Sequence, residues 1–377
     1  MPVPSAMMLS GTVVEVHSHW TSGGEQIVSE STIEQPDGSR VVVSQVGGSA
    51  DGLGQHVFDD VPLLELGMKV DLLAHSDNDL SGVAHDVVDG VKVRFQPSSF
   101  VRTGPTAAGH SLYWESGCIF VTPDADGTKE IPGDQEFPVI DACISTWNDD
   151  TASCSFLQVK TDVRAQVEVS GTDFKNVIKF RDASWCRPAT HDTAAKCYSD
   201  ASAGITTATF VDDGGARDGA IVDADIEING VNFAIGAGGT TLGTSGCRAE
   251  LANTLTHELG HLHGLEHTCL ATADPNRVDG NGNPVPACSA TSDPKIVDAT
   301  MYPFQDCGET KKETLEADDI SSICTIYPTA KDPGSCEPVS SGTGCCDAGR
   351  DRSSPLGSLA LTLVVGLVGL RKTRRPR

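Results

Sequence analysis

Residues 248 to 267 read RAELANTLTHELGHLHGLEH. Leu251, Leu255, Leu259 and Leu262 form one apolar stripe, which makes the segment an amphipathic helix with a buried leucine face. His257 and His261 are four residues apart and project from one side, roughly 130° around from that stripe. One face therefore anchors the helix and the other reaches a cleft. Two imidazoles on adjacent turns can bind one Zn²⁺ at about 2.0 to 2.1 Å each, and Glu258 lies close enough to take a proton from a water at the metal.

The pattern continues through Gly264 to His267 and fits HExxHxxGxxH at all five specified positions. A third ligand three residues after Gly264 cannot face the same metal if the helix simply continues. Glycine lets the chain turn sharply there and bring His267 back beneath the ion. Three protein ligands leave one coordination position for water, as a catalytic site requires. His263 points away from the other histidines and is read as a bystander.

This extended motif, followed by Ala299-Thr300-Met301-Tyr302-Pro303, resembles a metzincin zinc metalloprotease, with Met301 in the methionine turn under the metal. Met-Tyr-Pro is most similar to the matrixin-like group. Astacins and serralysins carry a tyrosine two residues after the methionine, where this chain has Pro303. Vertebrate matrixins hold latency through a propeptide cysteine; no cysteine precedes Cys118, so that device is absent.

The resemblance implies an α+β fold: a metzincin-type catalytic domain, with a twisted mixed sheet, an active-site helix and a C-terminal helix, preceded by a small all-β domain. It implies an extracytoplasmic zinc-dependent endopeptidase with His257, His261 and His267 as ligands and Glu258 as general base. A polypeptide substrate would add to an exposed edge strand, ITTATFV, whose neighbour AIVDADIEI precedes the metal helix. Pro303 and Phe304 would line the primed-side pocket and favour an apolar residue after the cut. ETLEADDISSICTIYP is similar to the clan's final helix, with Asp318 or Asp319 as the acid that braces the methionine turn. Glu258, which is not a ligand, argues against a rival reading as a non-enzymatic surface protein that keeps zinc for stability. A metallohydrolase acting on a non-protein amide stays open.

Elsewhere the residues speak more coarsely. Two folded domains and a tail are expected: 1–100, a small all-β domain of unknown role; 101–328, the metalloprotease-like domain; then 329–354, a linker with the sorting cysteines, and 355–377, an apolar segment with a basic tail. Short β-prone runs between Gly, Asp and Ser turns, such as GTVVEVHSHW, RVVVSQV and GVKVRF, mark the first. His17 and His19 share a strand face there but lack a third ligand. FPVIDACISTWNDD reads as a helix, with FLQVK and NVIKF as strands after it. Between His267 and Met301, Asp279, Asn281 and Asn283 alternate as Ca²⁺ ligands often do, although a polar loop tethered by a cysteine bridge explains them equally.

Acidic residues outnumber basic ones 52 to 27, a formal net charge of −25. Such a body repels phosphate backbones, so nucleic acid is not an expected partner. Thirteen cysteines without a CxxC pairing indicate an oxidising compartment. Near-neighbour pairing gives Cys143/Cys154, Cys186/Cys197, Cys269/Cys288 and Cys307/Cys324, leaving Cys118 for Cys247, a connectivity that sequence does not fix.

MPVPSAMMLSG contains no signal peptide, so export implies that the true start lies upstream. At the other end, Leu356 to Leu370 is uncharged and largely apolar and precedes Arg371, Lys372, Arg374, Arg375 and Arg377. Fifteen residues span roughly 22 Å as a helix, short of the ~30 Å hydrocarbon core, which suits a temporary membrane anchor. With Cys345 and Cys346 ahead of it, the tail resembles a myxobacterial surface-sorting signal. That implies a C-terminal processing protease as partner and, if Cys336 pairs with Cys345, Cys346 as the sorting cysteine.

Overall fold

The computed structural model describes residues 7–21, 24–60, 63–74, 100–188, 195–238, 247–271, 277–280 and 282–339. The protein is mixed α+β. In the first seventy residues alternating apolar positions build a four-stranded antiparallel sheet from β1 (Met7–Trp20), β2 (Ile27–Glu34), β3 (Arg40–Val46) and β6 (Lys69–Ala74), in the order β3-β2-β1-β6. Leu9, Val13, Ile33, Val43, Leu64 and Val70 form its core. His17 and His19 lie in β1 with stacked rings.

The chain then leaves this sheet. β4 (Gly48–Ala50) and β5 (Leu53–Val57) join a seven-stranded sheet whose remaining strands lie beyond residue 117, in the order β4, β5, β13 (Gly204–Val211), β14 (Ile221–Asn229), β10 (Asn176–Arg181), β8 (Cys118–Pro123) and β9 (Gln158–Thr161). Gly47 and Gly48, both at positive φ, make the departure. A Cβ on Gly48 would meet the Ser29 and Ser18 hydroxyls at 2.2 and 2.5 Å, so only glycine fits between the two sheets.

The antiparallel pair β7 (Val101–Arg102) with β17 (Leu265–Glu266) fastens the start of the second half beneath the metal helix. β8, β9, β10 and β14 run parallel, while β13 is antiparallel to β14. β10 is buried at every position, as expected of a parallel strand covered on both faces. β14 is wholly buried too, yet its faces differ. Ala224, Ile226 and Ile228 pack in the main core with α1 (Glu136–Thr151) and α2 (Leu251–Leu262). Glu227, on the opposite face, accepts from Arg181 Nε at 2.6 Å and Arg187 Nε at 3.0 Å. Arg187 comes from the hairpin β11 (Cys186–Arg187) with β12 (Lys196–Cys197). Burial pushes Asp223 and Asp225, on the same face as Glu227, well above the usual carboxylate range.

The leucine stripe lies where the periodicity puts it, with Leu251, Leu255, Leu259 and Leu262 at most 1% exposed. Trp147 of α1 donates its indole N–H to Thr256 O, and Trp114 donates to Leu262 O, so two tryptophans fix the helix along its length. β15 (Ala234–Gly236) and β16 (Arg248–Glu250) form a parallel pair leading into α2. Among the described residues, α3 (Pro294–Val297) and α4 (Ala317–Ile326) are the remaining α-helices, with a 3-10 turn at Lys311–Glu313 between them.

Five disulfides join Cys118 to Cys336, Cys154 to Cys324, Cys186 to Cys197, Cys247 to Cys307 and Cys269 to Cys288. They point to an extracytoplasmic protein. Two are the near-neighbour pairs expected. The others correct the expectation: Cys143 is buried and free under α2, Cys154 reaches α4, and Cys118 takes Cys336, so Cys336 is not paired with Cys345. Proximity in chain lost to proximity across layers. Cys345, Cys346 and the apolar run 356–370 lie outside the described residues, as do residues 1–6. Among the described residues no helix is long and apolar enough to cross a membrane.

Candidate metal centre

His257 and His261 leave α2 on one side, and the helix stops where the sequence says it must. Gly264 has φ +91° and sits 3.3 Å from Leu112 O by its absent Cβ, a left-handed turn in a tight place. The turned chain pairs β17 with β7 and delivers His267 to the other two. His261 Nε2 is 3.2 Å from His257 Nε2 and 3.1 Å from His267 Nε2.

The outer nitrogens fix the rings. His257 Nδ1 lies 2.6 Å from Thr300 O, and His261 Nδ1 lies 2.9 Å from Leu265 O. A carbonyl only accepts, so each Nδ1 carries the proton and each Nε2 presents a lone pair to the centre. Thr300 immediately precedes Met301, which is 2% exposed and runs under α2. A Cβ on Gly260 would strike its sulfur at 2.2 Å, so helix and methionine turn meet through a glycine. His263 does turn away, stacked on Trp147 with its Nδ1 at Leu259 O.

A fourth group completes the cluster, and the sequence did not announce it. Asp59, just beyond β5, places Oδ2 3.3 Å from His257 Nε2 and 3.1 Å from His261 Nε2, and Oδ1 2.9 Å from His267 Nε2. Among the described residues this is the one group of three or more His, Cys, Asp or Glu that could hold a metal ion. Four ligands around an ion with bonds of about 2.0 to 2.1 Å have tetrahedral edges of roughly 3.3 Å. The observed separations approach that value, and the inward lone pairs of His257 and His261 beside the Asp59 carboxylate form an arrangement that a cation would bridge. The donor set, three imidazoles and one carboxylate, suits zinc.

Burial alone would raise the Asp59 carboxyl, but His267 and His257 hold it well below the usual range. Burial drives His257 down to about 3, which keeps it neutral as a ligand must be. Glu258 is 1% exposed; burial, with Asp59 adding, pushes its carboxyl well above the ordinary value. Thr206 of β13 donates its hydroxyl to Glu258 Oε2 at 2.7 Å. The absent Cβ of Gly204 lies 2.7 Å from Oε1, so the edge strand is shaped around this glutamate.

The exposed edge expected at ITTATFV is not one here, because β5 pairs along β13, which is buried at every position. β5 runs antiparallel to β13, with Val57 opposite Thr207 and Gln55 opposite Thr209, and Phe58 N donates to Thr206 O at 2.8 Å. Val57 packs with Trp185, Tyr198 and Ile205. Phe58 is 2% exposed and stacks on the His261 ring at 4.3 Å between centroids. Strand pairing and a buried phenylalanine thus aim Asp59.

The remaining candidates are scattered. Pro303 is half-buried and Phe304 is 58% exposed, in ring contact with Tyr302; Gln305 and Lys312 are the residues against the first turn of α2. Asp279 accepts from the Asn283 backbone at 2.9 Å and from its side-chain amide, closing a turn, and Asn281 lies outside the described residues. Asp319 is 2% exposed and accepts from Glu316 N at 2.9 Å. Burial, with Asp318 adding, raises its carboxyl to about 7, against a bond from Thr300 beside the methionine turn.

A folded pKa above the ordinary one means that the stabilisation belongs to the protonated acid. It is complete below about pH 4 and is lost as pH rises toward 7. Between pH 5 and 8, at fixed zinc, wild type should therefore lose about 3 kcal/mol relative to Asp319→Asn in urea titrations. A difference that stays constant over that range contradicts the assignment.

Neither a family model nor a curated protein matches the chain.

Proposed function

We propose that the protein is a zinc-dependent endopeptidase of the metzincin type, held closed by its own N-terminal strand. The observation that carries the reading is the pairing of a three-histidine centre with a buried carboxylate, Glu258, that ligates nothing and is positioned by the edge strand. A purely structural centre has no use for such a group. Zinc, when bound, polarises the scissile carbonyl and acidifies a water.

The chain's own residues supply the rest. With β5 displaced, β13 would offer backbone groups to an extended peptide, which is why a polypeptide substrate is favoured. Thr206 holds Glu258 by one oxygen and leaves the other to take a proton from the attacking water and hand it to the leaving amine.

Asp59 occupies the corner where water must enter, and β5 occupies the strand where substrate must lie. This closure also supports a second reading, a surface protein whose four-ligand zinc serves stability alone. The full-length chain with Asp59→Ala separates the two. We expect cleavage of an unfolded protein substrate that a zinc chelator abolishes and that Glu258→Gln lowers by at least about 10²-fold. Stoichiometric zinc without cleavage in the Asp59→Ala protein establishes the structural reading.

A further inference from the structure

We propose that Lys312 selects an acidic side chain, aspartate or glutamate, on the residue directly downstream of the cleaved bond; the assignment rests on the peptidase reading above. The direction of the cleft is written in the segment that fills it. β5 approaches the metal along the C-terminal half of β13, from Leu53 opposite Val211 to Val57 opposite Thr207. Beyond Asp59 the chain continues past the N-terminal end of β13: Ser202 Oγ donates to Asp59 O, and Asp60 accepts from Ser199 N at 3.0 Å. An extended peptide pairing antiparallel with the same edge enters and leaves the same way.

The wall on the leaving side starts at Gly204, whose absent Cβ lies 2.9 Å from the Thr254 methyl and 2.7 Å from Glu258. Thr254 and Asn253 both hydrogen-bond the Gln305 side chain. Asn253 Oδ1 accepts from Lys312 N at 2.8 Å, and the Lys312 ammonium donates to Tyr302 O, next to Met301. Lys312 is therefore set behind the first turn of α2, on the side where a substrate's downstream residues pass.

Its surroundings are unusual for a lysine. It is 3% exposed, and among the described residues no carboxylate lies within ion-pair distance of it. Lys311 beside it lies at the surface and pairs with Asp298 at 2.9 Å. Burial pulls the Lys312 ammonium down to about 8, so it stays charged at neutral pH. Of the acids that act on it, Asp59 acts most strongly, ahead of Glu309 and Glu258. When Asp59 leaves the metal, this buried cation loses its principal counter-charge. A carboxylate on the incoming peptide restores it, whereas an amide of equal size does not.

The test uses the full-length, zinc-loaded Asp59→Ala chain and peptides that differ only in the first downstream residue. We expect Glu to exceed Gln in kcat/KM by about 10-fold. Lys312→Met should bring that ratio to about one, and Lys312→Arg should keep the acid preference. A Glu to Gln ratio near one, or a ratio that Lys312→Met leaves intact, overturns the proposal. Binding of non-cleavable peptidyl hydroxamates bearing Glu or Gln, read by calorimetry, gives the same comparison without turnover. Acid-selective binding lost in Lys312→Met, with no peptide cut, keeps this pocket and sinks the peptidase reading; cleavage without acid selectivity does the reverse. Should Lys312→Met fail to fold, Lys312→Gln and Lys312→Arg carry the comparison.

Discussion

In the full-length chain, Asp59→Ala is expected to raise cleavage of an unfolded protein substrate by about 10³-fold over wild type, at equal zinc content. The magnitude follows from what the aspartate contributes. Hydrogen bonds and contacts to charged groups are worth about 1.5 to 3 kcal/mol each, and Asp59 makes three close approaches in a nearly dry site. A bias of about 4 kcal/mol leaves roughly one molecule in a thousand open. Removing the carboxylate leaves β5 held by an edge-strand ladder of five residue pairs. A substrate at high concentration can compete for such a ladder. Asp59→Asn is the sharper comparison, since the amide keeps shape and loses charge. It should open the site nearly as far if the carboxylate is a metal ligand, and hardly at all if Asp59 serves only to pack. Equal rates for wild type and both variants would remove the latch from the account.

The metal helix was legible in the sequence because everything that defines it is local. The leucine stripe, the histidines one turn apart and the glycine that ends the helix all lie within seventeen residues, and each obeys a periodicity or a backbone constraint. Four strands of the larger sheet, β9, β10, β13 and β14, were legible in the same way, whereas β4 and β5 were expected in the first domain. Asp59 was not legible. It is 198 residues from His257, it sits in VFDDVP among many other acids, and no spacing relates it to the histidines. Its role is created by β5 leaving one sheet for the edge of another, a fact about pairing across the chain. Thr206 and Lys312 are hidden likewise, since a threonine in a β-prone run and one of two adjacent lysines look ordinary until the layers are stacked. The cysteines divide along the same line. Pairs separated by 11 and 19 residues were read correctly, while those separated by 60, 170 and 218 depend on which elements face each other.

The same non-local joint predicts what metal removal does. An ion held by the cluster would tie Asp59, at the end of β5, to α2 and to the chain after Gly264, and so fasten the N-terminal module to the helix that carries the histidines. Structural zinc contributes about 10 to 16 kcal/mol in small domains that cannot fold without it. Here a large apolar core packs under α2, so a smaller share, about 4 to 6 kcal/mol, is the expected loss. For a protein of this size that lowers the melting temperature by roughly 7 to 10 °C. The loss should also be uneven. The leucine face of α2, with Trp147 and Trp114 bonded along it, keeps its slow amide exchange. The β5 amides and the Phe58 N–H bonded to Thr206 O should exchange much faster once the ion is stripped, because their anchor at Asp59 is gone. Zinc added back should restore both the melting temperature and the protection of β5 in wild type. In Asp59→Ala it should restore most of the melting temperature and little of the protection, because three histidines still bind the ion but no longer link it to the strand. Stripping that lowers the protection of α2 and β5 equally would mean that the centre supports the domain as a whole and does not act as the clasp between its two sheets.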